Sequence, residues 1–411
     1  MSRNTEEIRN PHIRFKGFTD TWEQCELGDL ADIVGGGTPS TAVSEYWNGD
    51  IEWYSPIEIG EKVYLNSSQN KITKLGLYNS SARVLPVGTV LFTSRAGIGK
   101  TAILAKEGST NQGFQSILPK HDKLDTYFIF SRADELKKYS ETVGAGSTFI
   151  EVSGKQLAKM PIKVPNIKEQ RVIGTFFEKV DNLITLHQRK YDKLVNIKKS
   201  LLDKIFPRNG KVIPQLRFKG FTFTWQQYKL GDLYQFTKGK GLPLNSFYEG
   251  KDSLSIAYGH LYTKYSEVIN EVSLSSNDNN GVLSQKGDIL FPGSSTVPYG
   301  TAQSNAIMLN NIKLGGDVII ARARNFIPYA PFISYQINAQ KQKLFPITVG
   351  TTITHMYGKD ISNIEFSFPK FDEQIKVGRI LEAFDSLITL HLAKLEKLKN
   401  IKKSLLNKMF D

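Results

Sequence analysis

Three short strings in this chain carry the residue types of catalysis. Gly97-Ile98-Gly99-Lys100-Thr101 has the close of a phosphate-binding loop, in which glycine N–H groups cradle phosphate and a lysine neutralises it. The match stops at the first glycine, where Ser94 stands, and the corresponding stretch Val297-Pro298-Tyr299-Gly300-Thr301 further along has no lysine and a proline that removes a donor. Glu135-Leu136-Lys137 has the E-x-K tail of many nuclease sites, yet no suitably placed acid precedes it and the related position reads Lys341-Gln342-Lys343. It is expected to be helix surface. Six histidines (His12, His121, His187, His260, His355, His391) and the single Cys25 show no metal-ligand spacing, and Cys25 is expected to pack rather than react. Neither an N-P-P-Y or D-P-P-Y segment nor a glycine-rich S-adenosylmethionine loop is present, so an autonomous methyltransferase lacks its working parts. No catalytic residue, bound metal or cofactor is expected in this chain.

Chemistry of recognition is better supplied. Lys and Arg number 53 against 40 acidic residues, giving +13 and a pI near 9.4, which favours a polyanionic partner at long range. No apolar run approaches the roughly 20 residues a bilayer needs, and the first ten residues have no apolar signal core, so a cytoplasmic chain without a membrane partner is expected.

The elements that must position such residues come in two copies. Arg14 to Leu30 reads RFKGFTDTWEQCELGDL and Arg217 to Leu233 reads RFKGFTFTWQQYKLGDL, identical at thirteen of seventeen positions with an offset of 203. Glu169 to Phe206 matches Glu373 to Phe410 at 22 of 38 positions with an offset of 204. The stretches between, about residues 31 to 165 and 234 to 370, have diverged almost completely. A repeated frame with unlike filling is the signature of one scaffold serving two targets.

Each copy ends in a helix with a coiled-coil seam. In the first the seam is Ile173, Phe177, Val180, Ile184, His187, Tyr191, Leu194, Lys198, Leu201 and Ile205; in the second it is Val377, Leu381, Phe384, Ile388, His391, Leu395, Leu398, Lys402, Leu405 and Met409. Pro165, Pro369 and Pro207 mark their limits, and about 35 residues give roughly 50 Å of helix. Two copies related by a pseudo-two-fold axis would run their helices antiparallel, with the preceding domains at either end of a rigid handle. His187 and His391 then serve as register-setting polar positions. The basic last stretches of the helices suit a solvated surface, a partner protein or phosphate.

The fold expected is mixed α/β, with 1–165 as a first domain, 166–207 as a long helix, 208–370 as a second domain and 371–411 as a second helix. Gly88 to Phe92 and Gly287 to Phe291 read as equivalent strands, followed by helices over Thr126 to Tyr139 and Pro331 to Leu344. Loop residues able to read base edges or hold phosphate are Thr38, Ser40, Arg95, Lys100, Gln112, Ser147 and Lys155 in the first copy. In the second they are Lys238, Lys240, Ser295, Thr296, Tyr299, Arg322, Thr351, His355 and Lys359. Each has an alternative as a capping or turn residue. Trp22, Trp225, Phe15 and Phe218, shared by both copies, read as core.

The R-F-K-G-F-x-x-T-W and L-G-D-L phrases carry a resemblance. So do Gly36-Gly37-Thr38-Pro39-Ser40 with Glu45-Tyr46-Trp47-Asn48-Gly49-Asp50-Ile51, and Leu183-Ile184-Thr185-Leu186-His187 with Ile197-Lys198-Lys199-Ser200-Leu201-Leu202. Together with Ser294 to Thr301 they make the chain resemble the specificity subunit of type I restriction-modification systems over nearly its whole length. The resemblance implies two target recognition domains, each reading half of an asymmetric bipartite site in double-stranded DNA, with the helices setting the spacer. It also implies two modification subunits carrying S-adenosylmethionine and two restriction subunits using ATP and Mg. A stand-alone DNA-binding or scaffolding protein is the alternative.

Overall fold

A computed structural model describes residues 11–95, 97–144, 151–208, 210–297, 299–324 and 328–410. Two compact units emerge. One comprises the chain through His187 together with the segment from Lys394; the other runs from Gln188 to Ala393. Each unit therefore holds the first half of one long helix and the second half of the other.

The long helices span Ile167–Ile205 and Phe371–Phe410, 39 and 40 residues. Over 184–201 the side chains withdrawn from full solvent exposure are Ile184, His187, Gln188, Tyr191, Leu194, Lys198 and Leu201, which is the expected seam plus one flanking glutamine. The second helix repeats the pattern, with Leu395 and Met409 fully buried. Within each unit the two helix segments run antiparallel, because burying one apolar stripe against its equivalent also brings opposite charges together. Lys402 meets Asp181 at 2.6 Å in the first unit, and the equivalent Lys198 meets Asp385 at 2.5 Å in the second. Tyr127 donates to Asp181 at 2.8 Å, and Tyr335 donates to Asp385 in the same way. Burial, then the neighbouring carboxylate, pushes both phenols well above their ordinary range.

The repeated phrases close on one another. Arg14 makes a bidentate pair with Glu169 at 2.7 Å, and Arg217 with Glu373 at 2.7 to 2.8 Å, both glutamates being buried. Glu23–Glu26 pairs antiparallel with Pro161–Val164, and Gln226–Lys229 with Glu365–Phe368. Each Arg-led phrase is thereby fastened to the strand that precedes its helix.

The diverged stretches share a central sheet of five strands. In the first unit the order is Ala31–Gly35, Gln115–Pro119, Val90–Phe92, Thr101–Leu104, Tyr64–Leu65, antiparallel except for the last pair. In the second it is Tyr234–Lys238, Val318–Ala323, Ile289–Pro292, Asn305–Ile307, Val268–Ile269, with the same single parallel pair. The units part company in what is added: a three-stranded sheet around Trp47–Tyr54 in one, and separate two- and three-stranded sheets in the other.

The expected helix over Thr126 to Tyr139 is two helices, Thr126–Ser131 and Ala133–Gly144. The break falls at Arg132, whose buried guanidinium donates to the Lys163 carbonyl and to Glu135 and so fixes a non-helical turn there. In the second unit Ala330–Ala339 stops five residues short of Leu344, where Gln340 leaves helical geometry and two 3-10 turns follow. Trp22 and Phe128 in one core, and Trp225 and Phe332 in the other, form equivalent ring pairs at 6.1 and 5.8 Å. Phe15 packs at the edge of the first core and Phe218 at the edge of the second.

Candidate nucleic-acid interface

In the first unit the loop after Ala31–Gly35 is pinned by backbone. Gly37 N–H donates to the Thr110 carbonyl at 2.8 Å, and the Trp53 indole donates to the Gly37 carbonyl at 2.9 Å. A Cβ on Gly37 would lie 2.3 Å from Ser81 Oγ and 2.4 Å from the Ala82 nitrogen, so the chain passes only as glycine. This approach sets Thr38 beside Gln112, to which its hydroxyl donates, with Ser40 exposed two residues on.

The turn after Val90–Phe92 is drawn to the same sheet end. Ser94 N–H donates to the Gly113 carbonyl at 2.9 Å and Val152 N–H to the Ser94 carbonyl at 3.1 Å. Arg95, half-buried, and Lys100, exposed, flank that turn. Lys155 joins them on the short helix Gly154–Ala158, whose first residue abuts Ile33 and Gln115. Six of the seven residues expected in this copy thus come to one sheet end; Ser147 lies outside the described residues.

The second unit builds the same end with other side chains. Gly293 N–H donates to the Asp317 carbonyl at 2.6 Å, and Met356 N–H to the Gly293 carbonyl at 3.0 Å, matching the Ser94 pattern bond for bond. Lys238 reaches Asp317 at 2.6 Å, and this contact first, with the Ser294 hydroxyl, holds the aspartate below the usual carboxylate range. Lys240, Thr296, Tyr299, Thr351, His355 and Lys359 are all exposed around it. Lys359 occupies the place of Lys155, on a short helix that abuts Phe236 and Ile319.

Two expected residues are engaged otherwise. Ser295 is buried, and its hydroxyl both accepts from the Val297 N–H at 3.0 Å and donates to the Val297 carbonyl at 3.1 Å, so it shapes the turn. Arg322 sits at the far end of Val318–Ala323, bidentate to buried Asp288 at 2.7 and 2.9 Å, and it braces the sheet. The reason is positional: a strand residue at that end finds a buried carboxylate before it finds solvent. Sequence reasoning passed over Val297, Val349 and Ile353, which stand exposed beside Tyr299. Their signal was branched apolar residues inside loops otherwise made of Gly, Ser and Thr.

The catalytic strings resolve as scaffold. Gly97 to Thr101 links two antiparallel strands, with Gly97 and Gly99 at φ of 98° and 96°. A phosphate loop runs from a strand into a helix N-terminus, and here a strand follows instead. Glu135 is paired with Arg132, and Lys137 lies 3.8 Å from Glu141 on the helix surface. Cys25 hydrogen-bonds the Ile162 carbonyl, and burial raises its thiol pKa. Among the described residues no group of three or more His, Cys, Asp or Glu side chains is placed to hold a metal ion, and no helix is long and apolar enough to cross a membrane.

What the arrangement offers is two equivalent platforms of hydroxyl, amide and cationic groups with unlike chemistry. Comparison with known proteins gives the same division. The model of the type I restriction modification DNA specificity domain matches twice, at residues 19–196 and 223–400. The specificity subunit of the type I restriction enzyme MjaIX of Methanocaldococcus jannaschii is 30% identical over 267 residues, covering 62% of this chain and 62% of that protein. The specificity subunit of EcoR124I/EcoR124II of Escherichia coli is 29% identical over 203 residues, covering 45% of this chain and 49% of its own length. The chain thus spans less than two thirds of these curated relatives. A crystal structure of the S subunit of a type I restriction-modification system from M. genitalium shares the fold, with a TM-score of 0.58 at 15% identity over 98% of this chain and 99% of that one.

Proposed function

Because the chain belongs to the family of type I restriction modification DNA specificity domains, carried in two tandem copies, we propose that it is the non-catalytic DNA-recognition subunit of such a complex. Each unit reads one half of an asymmetric, interrupted site. The observation that carries this reading is the shared sheet end. The same backbone hydrogen bonds, Ser94 with Gly113 and Val152 in one unit and Gly293 with Asp317 and Met356 in the other, present different side chains. A common frame fixes the pose on the sugar-phosphate backbone, and unlike side chains at the tips select unlike bases.

The helices supply the spacing between the half-sites and the surface for modification subunits. Leu183, Leu186 and Ile197 and their equivalents Leu387, Leu390 and Ile401 are exposed on them and suit such docking. Two modification subunits holding S-adenosylmethionine, and two restriction subunits using ATP and Mg, complete the proposed assembly, which works on DNA in the cytoplasm. Methylome sequencing of cells expressing this chain with its modification subunit tests the reading. The expected result is one methylated motif of two unlike parts separated by a fixed gap. A continuous palindrome overturns it.

A further inference from the structure

The second unit carries an apolar crest at its sheet end. Two segments build it, residues 294–297 with 299–301 and residues 345–355, joined at both ends. Ser294 and Ser295 pair with His355 and Thr354, and the Tyr299 ring lies 4.4 Å from Phe345. Within the second segment Val349 and His355 exchange backbone hydrogen bonds of 2.9 and 2.7 Å. From this crest project Val297 at 48%, Tyr299 at 60%, Val349 at 60% and Ile353 at 47% exposure. Clustered apolar side chains held in water mark a contact surface, since each gains free energy when it is buried.

The backbone holds this presentation at a cost. Tyr299 adopts φ of 58°, a strained left-handed conformation that a bulky aromatic residue rarely takes. Gly350, at φ of 109°, turns so tightly that a Cβ would lie 2.1 Å from the Ile353 carbonyl oxygen. The surroundings name the occupant. Lys240 and Lys359 are exposed at this sheet end with His355, while Lys238 there is paired with Asp317, and the remaining lysines fit a polyanion better than an apolar peptide. In the duplex major groove the apolar group that distinguishes one base pair from another is the C5 methyl of thymine. In the first unit the corresponding turn holds Arg95, Gly97, Gly99 and Lys100, with Ile98 half-buried.

We propose that the crest of Val297, Tyr299, Val349 and Ile353 reads thymine methyl groups, so that the half-site of the second unit contains T·A pairs selected by apolar contact. This rests on the recognition function above. The test uses the full chain assembled with its modification subunit. Selection from randomised duplex DNA first defines the bound site, and deoxyuridine then replaces each thymine of it in turn. Removing one methyl is expected to weaken wild-type binding about threefold to tenfold at one or more positions of the half-site read by the second unit. Val297→Ala and Ile353→Ala, both at exposed positions, are expected to lose that deoxyuridine penalty while still binding the other half-site with its original preference. A wild type indifferent to deoxyuridine overturns the proposal, and does so in favour of insertion between base steps if Tyr299→Ala alone weakens binding. Variants that keep the full penalty also overturn it. If wild type enriches no sequence, the recognition reading itself fails, and this one with it.

Discussion

Glu52 links an ionic cluster to the recognition loop. Its carboxylate is almost fully buried and accepts from Lys106 at 2.8 Å and from the Ser68 N–H and hydroxyl, each at 2.8 Å, with Lys71 at 3.1 Å. Burial works to raise its pKa, but these donors outweigh burial and hold it at about 2, against an ordinary 4.5. The next residue, Trp53, carries the indole that fixes Gly37. Because the folded value lies below the unfolded one, the stability this carboxylate contributes is complete above the ordinary range and is lost as pH falls from 4.5 toward 2. Glu52→Gln should therefore lower the melting temperature of the first unit at pH 7, by a loss of about 2–4 kcal/mol. The gap to wild type should narrow by pH 3. Melting curves at the two pH values check this, and a gap that does not change with pH would exclude the ionic account.

At the scale of elements, each long helix ends in the core of the unit it did not begin in. Phe410 lies 5.6 Å from Phe128 and 6.2 Å from Trp22 in the first unit; the equivalent Phe206 lies 5.5 Å from Phe332 in the second. Removing a large ring from such a site costs about 3–5 kcal/mol. Phe410→Ala is thus expected to loosen the first unit, more than 200 residues away in sequence, and to leave the second protected. Phe206→Ala should do the reverse. Hydrogen exchange resolved by segment reads both, and loss of protection in the sequence-adjacent unit instead would contradict the exchange of helix ends.

For the whole molecule the proposed ruler makes a quantitative prediction. The ion pairs Lys402–Asp181 and Lys198–Asp385 hold a single register from either end. Seven residues inserted into each helix at equivalent points preserve both pairs and the heptad, while adding roughly 10 Å. The gap of the methylated motif should then grow by about three base pairs, each 3.4 Å, with both half-sites unchanged. An unchanged gap in the sequenced motif would remove the helices from that role.

Duplication and the two seams were legible in the sequence, because a 3.5-residue apolar period has one efficient way to be buried and leaves its mark at every turn. The strands after Gly88 and Gly287 were legible for a different reason, as short continuous apolar runs bounded by a glycine turn. Which loop residues gather at the sheet end was only partly so. Arg322 and Lys238 are both strand cations, and only tertiary structure gives one a buried aspartate at the far end and the other a place beside the crest. The partnership of Arg14 with Glu169, and the crossing of Phe206 and Phe410 into one another's cores, were also decided by the fold. Local periodicity fixes which face of an element is buried, whereas its partner depends on contacts between residues far apart in the chain, for which a single sequence carries no spacing signal.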